Sequence, residues 1–335
     1  MLNSRFAIVC SESVNPWFNL ALEEYLFMQV GLGQTILLLW QNENTVVIGK
    51  HQNPWKECRL PEMEQDECRL ARRMSGGGAV FHDKGNLNFS FIMDKSLYSL
   101  EKQLSMILDA VRALGITAEF SGRNDLIAHG KKFSGNAYRF DARTALHHGT
   151  LLICSDLEKL SRYLTVPPQK LQSKGVESVR SRVANLADYK DGLCVETMAV
   201  NLKTQFRRQY GEAMEFMVDF DLTIPELEGL YRKNAAWDWR YGDTPDFTIV
   251  FEQNFTWGNV ELQLKLEKGC IVDATVHSDA MDIGLIEAIA QKLKYLSYQK
   301  SALLSALSSI ESTDVQLSAL QDVVTWLAKQ NIPSE

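Results

Sequence analysis

The sequence has no run of 18 apolar residues, no Cys-x-x-Cys pair and no excess of basic side chains. Each absence excludes something. Without a long apolar run there is no candidate helix for crossing a bilayer. The only apolar block near the start, Phe6-Ala7-Ile8-Val9-Cys10, is followed by Ser-Glu-Ser and is too short for the core of a secretion signal. A protein of the cytoplasm is expected. The six cysteines (Cys10, Cys58, Cys68, Cys154, Cys194, Cys270) are scattered, with no histidine at zinc-ligand spacing, so reduced thiols are expected rather than a disulfide framework or a zinc site. A formal net charge of −7 argues against a general nucleic-acid binder, which needs a concentrated basic face. Local clusters such as Arg72-Arg73, Lys131-Lys132 and Arg180-Ser181-Arg182 can still line a positive pocket.

What is present describes a folded protein. The 335 residues, 45% hydrophobic and 23% charged, suffice for one large and one small domain, with no repeat and no low-complexity linker. Asn15-Pro16 reads as a cap and first helical position, and Trp17, Leu20, Ala21 and Phe27 then recur at helical spacing. Ile36–Trp40 and Thr45–Gly49, separated by Gln41-Asn42-Glu43-Asn44, read as a β-hairpin. In Asn86–Met93, Leu87, Phe89, Phe91 and Met93 alternate with Asn88 and Ser90 as in a strand. Leu97–Leu114 has the rhythm of an amphipathic helix closed by Gly115. Strands are expected at 116–120, 132–138 and 150–153, in an α/β region reaching about Gly242. Beyond Thr244-Pro245-Asp246 come three strand-like runs (247–253, 259–267, 271–277) and then helices, the order of a small α+β domain.

Three segments carry chemistry. Arg72-Arg73-Met74-Ser75-Gly76-Gly77-Gly78-Ala79-Val80-Phe81-His82-Asp83 places three side-chain-free residues after two forked cations. Bare backbone N–H groups can line an anion-binding concavity, and guanidinium suits phosphate or carboxylate. A triple glycine alone also fits a flexible turn, and the segment is neither a Walker loop nor a dinucleotide fingerprint. Next, Asp125 precedes Gly130-Lys131-Lys132-Phe133-Ser134-Gly135, where a lysine ammonium could meet a phosphate and an aspartate a magnesium ion. Finally, His147-His148-Gly149-Thr150 puts adjacent histidines on opposite faces of a strand, one to pack and one to face a pocket.

Taken in order, Arg-Arg-x-Ser-Gly-Gly-Gly-Ala-Val-Phe-His-Asp, Gly-Arg-Asn-Asp-Leu, Gly-Lys-Lys-Phe-Ser-Gly-Asn-Ala-Tyr and His-His-Gly-Thr-Leu-Leu resemble the lipoate-protein ligase A family. The resemblance extends from Asn15-Pro16-Trp17 through Thr45–Gly49, Asn53–Cys58 and Ser178–Val183 to Phe255-Thr256-Trp257-Gly258, nearly the whole chain. One departure is the short connection from Asp125 to Lys132, where some relatives carry a longer loop; this leaves the local hairpin geometry open.

The resemblance implies an α/β fold with a large biotin-ligase-like catalytic domain (1–243), of mixed sheet and packed helices, and a small C-terminal α+β accessory domain (247–335). It implies ATP-dependent activation of lipoate to lipoyl-AMP, with transfer to a lysine of lipoyl domains, those of 2-oxo acid dehydrogenase acyltransferases and of the glycine cleavage H protein. It assigns Lys132 as the catalytic residue shared by nucleotide and lipoate. Arg73, Gly78, Ala79, Val80, Phe81, Asn124 and Asp125 would bind ATP, with Asp125 on Mg2+. Arg72, Ser75, His82, Trp40 and His148 would bind lipoate. A monomer without nucleic-acid or membrane partners, and without a prosthetic group, is implied as well. The segment Thr165–Ser178 is long and irregular and reads as a lid.

Three rivals remain open at this stage: a related octanoyl transferase using a cysteine nucleophile without ATP, a biotin ligase, and a non-catalytic lipoate- or nucleotide-binding regulator. The lid segment has no cysteine, and Cys154, in an apolar strand, is expected to be buried. No helix-turn-helix signal precedes the catalytic region.

Overall fold

The computed structural model describes residues 4–121, 125–165, 183–244, 247–278, 280, 282–312 and 314–334. The chain divides into two compact units, Met1–Lys50 with Glu67–Ala235, and His51–Asp66 with Ala236–Glu335.

The first unit contains β1 (Phe6–Ser11), β2 (Thr35–Trp40), β3 (Thr45–Ile48), β4 (Arg69–Arg72), β5 (Val80–His82), β6 (Asn86–Asp94), β7 (Ala118–Ser121), β8 (Asp125–Ala128), β9 (Lys131–Phe140), β10 (Thr144–Leu152) and β11 (Met214–Val218). Eight of them form a mixed sheet in the order β11-β1-β2-β6-β10-β9-β8-β7, and β4-β3-β5 form a second, small sheet. The fold is thus mixed α/β, as expected.

The central strands of the eight-stranded sheet, β2, β6 and most of β10, are buried on both faces. Leu37, Leu39, Phe89, Phe91 and Met93 pack on one side with Leu104, Ile107 and Val111 of the Leu100–Arg112 helix and Leu202 and Phe206 of the Val195–Tyr210 helix. Ile36, Leu38 and Trp40 pack on the other with Phe18, Leu22 and Leu26 of the Pro16–Gln29 helix. That helix begins where the sequence signals it: Asn15 Oδ1 accepts from the Trp17 and Phe18 N–H groups, and Pro16 occupies a position whose N–H would have no partner. Gly115, at φ 83°, follows the Leu100–Arg112 helix.

The expected hairpin between Ile36–Trp40 and Thr45–Gly49 does not form. β2 lies between β1 and β6, whereas β3 joins β4 and β5 in the other sheet. Every residue of both strands is buried, so neither carries the alternation that would mark a two-stranded edge ribbon. The short Asp125–Lys132 connection, by contrast, closes a tight turn in which His129 and Gly130 both take positive φ (49° and 78°). It sets Lys132 opposite Ile127.

The second unit holds β12 (Phe247–Phe255), β13 (Gly258–Glu267) and β14 (Cys270–Ser278) as an antiparallel sheet, followed by helices Ile283–Leu293, Lys300–Ser308 and Asp314–Ala328. By contacts it begins at Ala236 and takes in His51–Asp66. The Trp55 ring lies 5.0 Å from Phe247 and 5.2 Å from Tyr298, and Asn331 donates to the Trp55 and Cys58 carbonyls. No helix among the described residues is long and apolar enough to cross a membrane.

Candidate active site

One cavity in the first unit, of about 640 Å³ including its open mouth, gathers residues from the glycine segment, the sheet and β9. Strand periodicity supplies its floor. Trp40 of β2 and Thr150 of β10 both face Asn88 of β6, and His148 is level with Ala137 of β9, so one sheet face presents all of them together.

The glycine segment connects β4 to β5, and Arg73 shapes it. Its guanidinium donates to the carbonyls of Val47 (3.1 Å), Gly76 (2.7 Å) and Gly78 (2.8 Å) and to Ser75 Oγ (3.2 Å). Burial brings its pKa down to about 10, with the Glu23 charge acting in the opposite direction, so it remains a cation at neutral pH. A side chain on Gly77, at φ 94°, would bring a Cβ to 2.9 Å from Arg73 Nη2. The loop carbonyls thus turn to Arg73, while the Gly77, Gly78 and Ala79 N–H groups, on cavity-lining residues, have no partner among the described residues. That is the arrangement of an anion cradle.

Lys132 reaches the cavity from β9, with Nζ 2.7 Å from Asp125 Oδ1 and both side chains 37% exposed. Its stem crosses Gly135, where a Cβ would come within 3.2 Å of Nζ. The backbone beside it is fixed by Ala184, whose N–H donates to the Lys132 carbonyl.

Beneath the cavity runs a chain of hydrogen bonds with consistent polarity. Arg73 Nε donates to Ser75 Oγ, which lies 2.6 Å from His148 Nε2; His148 Nδ1 lies 2.8 Å from Glu23 Oε1, which also accepts from Ser90 Oγ at 2.5 Å. Trp40 Nε1 donates to the same Ser90 Oγ. Glu23, Ser90, His148, Ser75 and Trp40 are all buried. His147, on the opposite face, packs between Phe89, Phe91 and Tyr138 and meets Gln103 Oε1 and Asn136 Oδ1. Burial, with His148 beside it, pushes its pKa down to about 3. One histidine packs and the other faces the cavity, as the strand alternation predicts.

Of the residues singled out in the sequence, Trp40, Arg73, Gly78, Ala79, Val80, His82, Lys132 and His148 line the cavity. Ser75 reaches it through His148, and Asp125 through Lys132. Arg72 is not among the lining residues: it is fully buried and donates to the Lys50 carbonyl. Phe81 is turned into the core, its ring 5.4 Å from Tyr163. Asn124, Arg180 to Arg182 and the 166–178 part of the lid segment lie outside the described residues. Cys154 is exposed rather than buried, because β10 ends at Leu152 and the chain has left the sheet.

Sequence reasoning missed Glu23, Asn88, Asn136 and Gly149. Glu23 sits three residues after Leu20 and four before Phe27, on the buried stripe of its helix, and a carboxylate in an apolar stripe is the signal that could have found it. Gly149 leaves no such trace, since only packing shows that a Cβ there would fall 2.7 Å from the Gly135 carbonyl oxygen.

A mixed α/β domain whose cavity combines an N–H-lined loop, a lysine and apolar walls defines a protein that binds an anion beside an apolar group. Residues 15–207 match the lipoyl protein ligase A/B catalytic domain, and residues 244–327 match the bacterial lipoate protein ligase C-terminus. The chain belongs to the lipoate-protein ligase A family. It is 39% identical to the lipoate-protein ligase A of Psychrobacter cryohalolentis over 96% of this chain and 98% of that one. Among solved structures it is similar to P. falciparum LipL1 in complex with lipoate (28% identity, TM-score 0.63, 97% and 99% of the two chains). It is also similar to a lipoate-protein ligase A bound with ATP (26%, TM-score 0.59, 71% and 98%). A third likeness is to the bipartite ligase of Thermoplasma acidophilum, studied with its E2 lipoyl domain (26%, TM-score 0.63, 71% and 96%).

Proposed function

We propose that this lipoate-protein ligase uses the cavity to join lipoate to the α-phosphate of ATP, releasing pyrophosphate, and then passes the lipoyl group to a lysine of a lipoyl domain. The observation that carries this reading is Lys132, whose ammonium enters the same cavity as the unpartnered N–H groups of Gly77, Gly78 and Ala79. A carboxylate oxygen attacking phosphorus brings two anions together, and an ammonium between them offsets their repulsion and stabilises the charge that develops on the phosphoryl oxygens. The glycine-segment N–H groups hold the phosphate, and the Trp40, Leu20 and Val47 walls take the acyl chain.

Asp125 supplies one carboxylate at the site, and an Mg2+ held chiefly by phosphate oxygens takes only one or two, so the residues present fit such an ion. When bound, it would neutralise charge on the departing pyrophosphate. Lys132 is already paired with Asp125, so phosphate and carboxylate ligands would compete for its ammonium as they enter.

In the second step the acceptor amine attacks the acyl carbon, AMP leaves and the amine gives up a proton. Only a neutral amine attacks, and deprotonating a lysine at pH 7 costs roughly 4–5 kcal/mol. The positive charge of Lys132 nearby would lower that cost. Acceptors on 2-oxo acid dehydrogenases and on the glycine cleavage H protein, a monomeric chain, and action in the cytoplasm complete the proposal. We assign the second unit an accessory role in acceptor transfer. The test is lipoate-dependent exchange of labelled pyrophosphate into ATP, which an ATP-independent transferase or a binding-only regulator would not catalyse.

A further inference from the structure

Arg72, which the resemblance assigns to lipoate, is fully buried, lies off the cavity and has no part in the chemistry above. A buried guanidinium is costly unless its donors are satisfied, so the groups it serves show its use. Arg72 Nη1 donates to the Lys50 carbonyl at 2.8 Å and to the Gly49 carbonyl at 3.4 Å. These two residues follow directly on β3, whose last residue, Ile48, is in register with Arg72 itself. The side chain thus fixes the backbone just past the end of the neighbouring strand.

That backbone is the seat of the glycine segment. The Lys50 N–H donates to the Ser75 carbonyl at 2.8 Å. Gly49 is buried against the same segment: a Cβ there would stand 2.5 Å from the Gly77 carbonyl oxygen and 3.3 Å from that of Gly76. Gly49 does not take positive φ, so the close approach of two backbones, and not a turn angle, is what demands glycine. Arg73 holds the Gly76 and Gly78 carbonyls, while Gly49 and Lys50 stand against those of Ser75, Gly76 and Gly77. With its oxygens located in this way, the segment keeps the Gly77, Gly78 and Ala79 N–H groups for a ligand.

We propose that Arg72 is a positioning residue for the nucleotide: through Gly49 and Lys50 it fixes the backbone of Ser75–Gly77 and so sets the aim of the cradle N–H groups, without touching a ligand. This deepens the ligase reading and rests on it. The two adjacent arginines then divide the work, Arg73 gathering the segment's own carbonyls and Arg72 holding the strand end on which the segment rests. Lysine is no equivalent here, because an ammonium on a flexible stem lacks the rigid fork that reaches two carbonyls at once. The acyl chain meets Trp40 and Leu20, which belong to other elements, so loss of Arg72 falls on phosphate binding more than on acid binding.

The test measures calorimetric binding of α,β-methylene-ATP with Mg2+, and separately of lipoate, to the full chain and to Arg72→Lys, Arg72→Met and Gly49→Ala variants, with a melting curve for each. Arg72→Met should weaken nucleotide binding roughly tenfold or more, the size of one charge-assisted hydrogen bond, and lipoate binding less than about threefold. Arg72→Lys should fall between Arg72→Met and wild type. Gly49→Ala, which disturbs the same contact from the other side, should reproduce the split between the two ligands. Combining it with Arg72→Met should add little, because both act through one backbone contact. Wild-type nucleotide affinity in folded Arg72→Lys and Gly49→Ala chains overturns the proposal alone, as does an equal loss for both ligands, the mark of a merely structural role. A wild-type chain that binds no nucleotide overturns the ligase reading and this proposal with it.

Discussion

Glu23 and His148, far apart in sequence, meet at 2.8 Å beneath the cavity, and the carboxylate dictates which imidazole nitrogen carries hydrogen. With Nδ1 directed at Glu23, Nε2 meets Ser75 Oγ, and Ser75 in turn accepts from Arg73, the residue that shapes the glycine loop. A helix side chain is thereby coupled to an anion cradle through three buried contacts. Glu23→Ala would leave His148 Nδ1–H and Ser90 O–H buried without an acceptor, costing on the order of 3 kcal/mol. The variant should melt roughly 5–10 °C lower and show a raised KM for lipoate. Glu23→Gln, which retains an oxygen acceptor, should lose less. Wild-type melting by the Ala variant would sink this account.

Lys132 is the one lysine that lines the cavity among the described residues, and the chemistry assigned to it needs its charge in the first step. Lys132→Ala should lower lipoyl-AMP formation by at least roughly a hundredfold, in the range found for removal of one electrostatic stabiliser. Its thermal stability should change little, because the ion pair with Asp125 is partly exposed. Near wild-type adenylate formation in single-turnover measurements would remove Lys132 from the reaction.

No cysteine lines the cavity among the described residues, and partial desolvation together with the Asp83 charge raises the pKa of the exposed Cys154 thiol, the opposite of what activates a nucleophile. Cys154→Ala should therefore lipoylate an acceptor domain at the wild-type rate. Recovery of an acyl-thioester on any cysteine after denaturing quench would contradict that expectation.

His82 and His147 both have pKa values lowered to about 3, by burial first, then by Arg73 and His148 at His82 and by His148 at His147. In an unfolded chain an imidazole titrates near 6.5. Below that value the unfolded chain takes up protons that the folded one refuses, so stability is complete above about pH 6.5 and declines as pH falls toward 3. At pH 5 the loss is roughly 2 kcal/mol per histidine. Urea midpoints between pH 7 and pH 5 should follow this slope, and His147→Gln should flatten it by about half; an unchanged slope in that variant would assign the pH dependence to other groups.

The amino-acid order alone determined the features that depend on near neighbours. The Asn15-Pro16 start, the 3.6-residue rhythm after it, the alternation that splits His147 from His148, and the three bare backbone positions beside Arg73 all act within a few residues. Such signals survive in one dimension because capping and strand period are local geometry. Tertiary structure decided what has no local signature. β2 and β3 are apolar on both faces and carry nothing that names a partner, so only packing between two helical layers and a second sheet separates them. Trp55 reads as part of the first unit until Phe247 and Tyr298 are seen around it. That His82 Nε2 is left without a partner follows from burial and from Asn42, a residue of another segment whose oxygen accepts from Asn19 and whose NH2 meets His82 Nδ1. A donor becomes unpaired only when the fold has buried it and engaged its neighbours, and that condition exists in three dimensions alone.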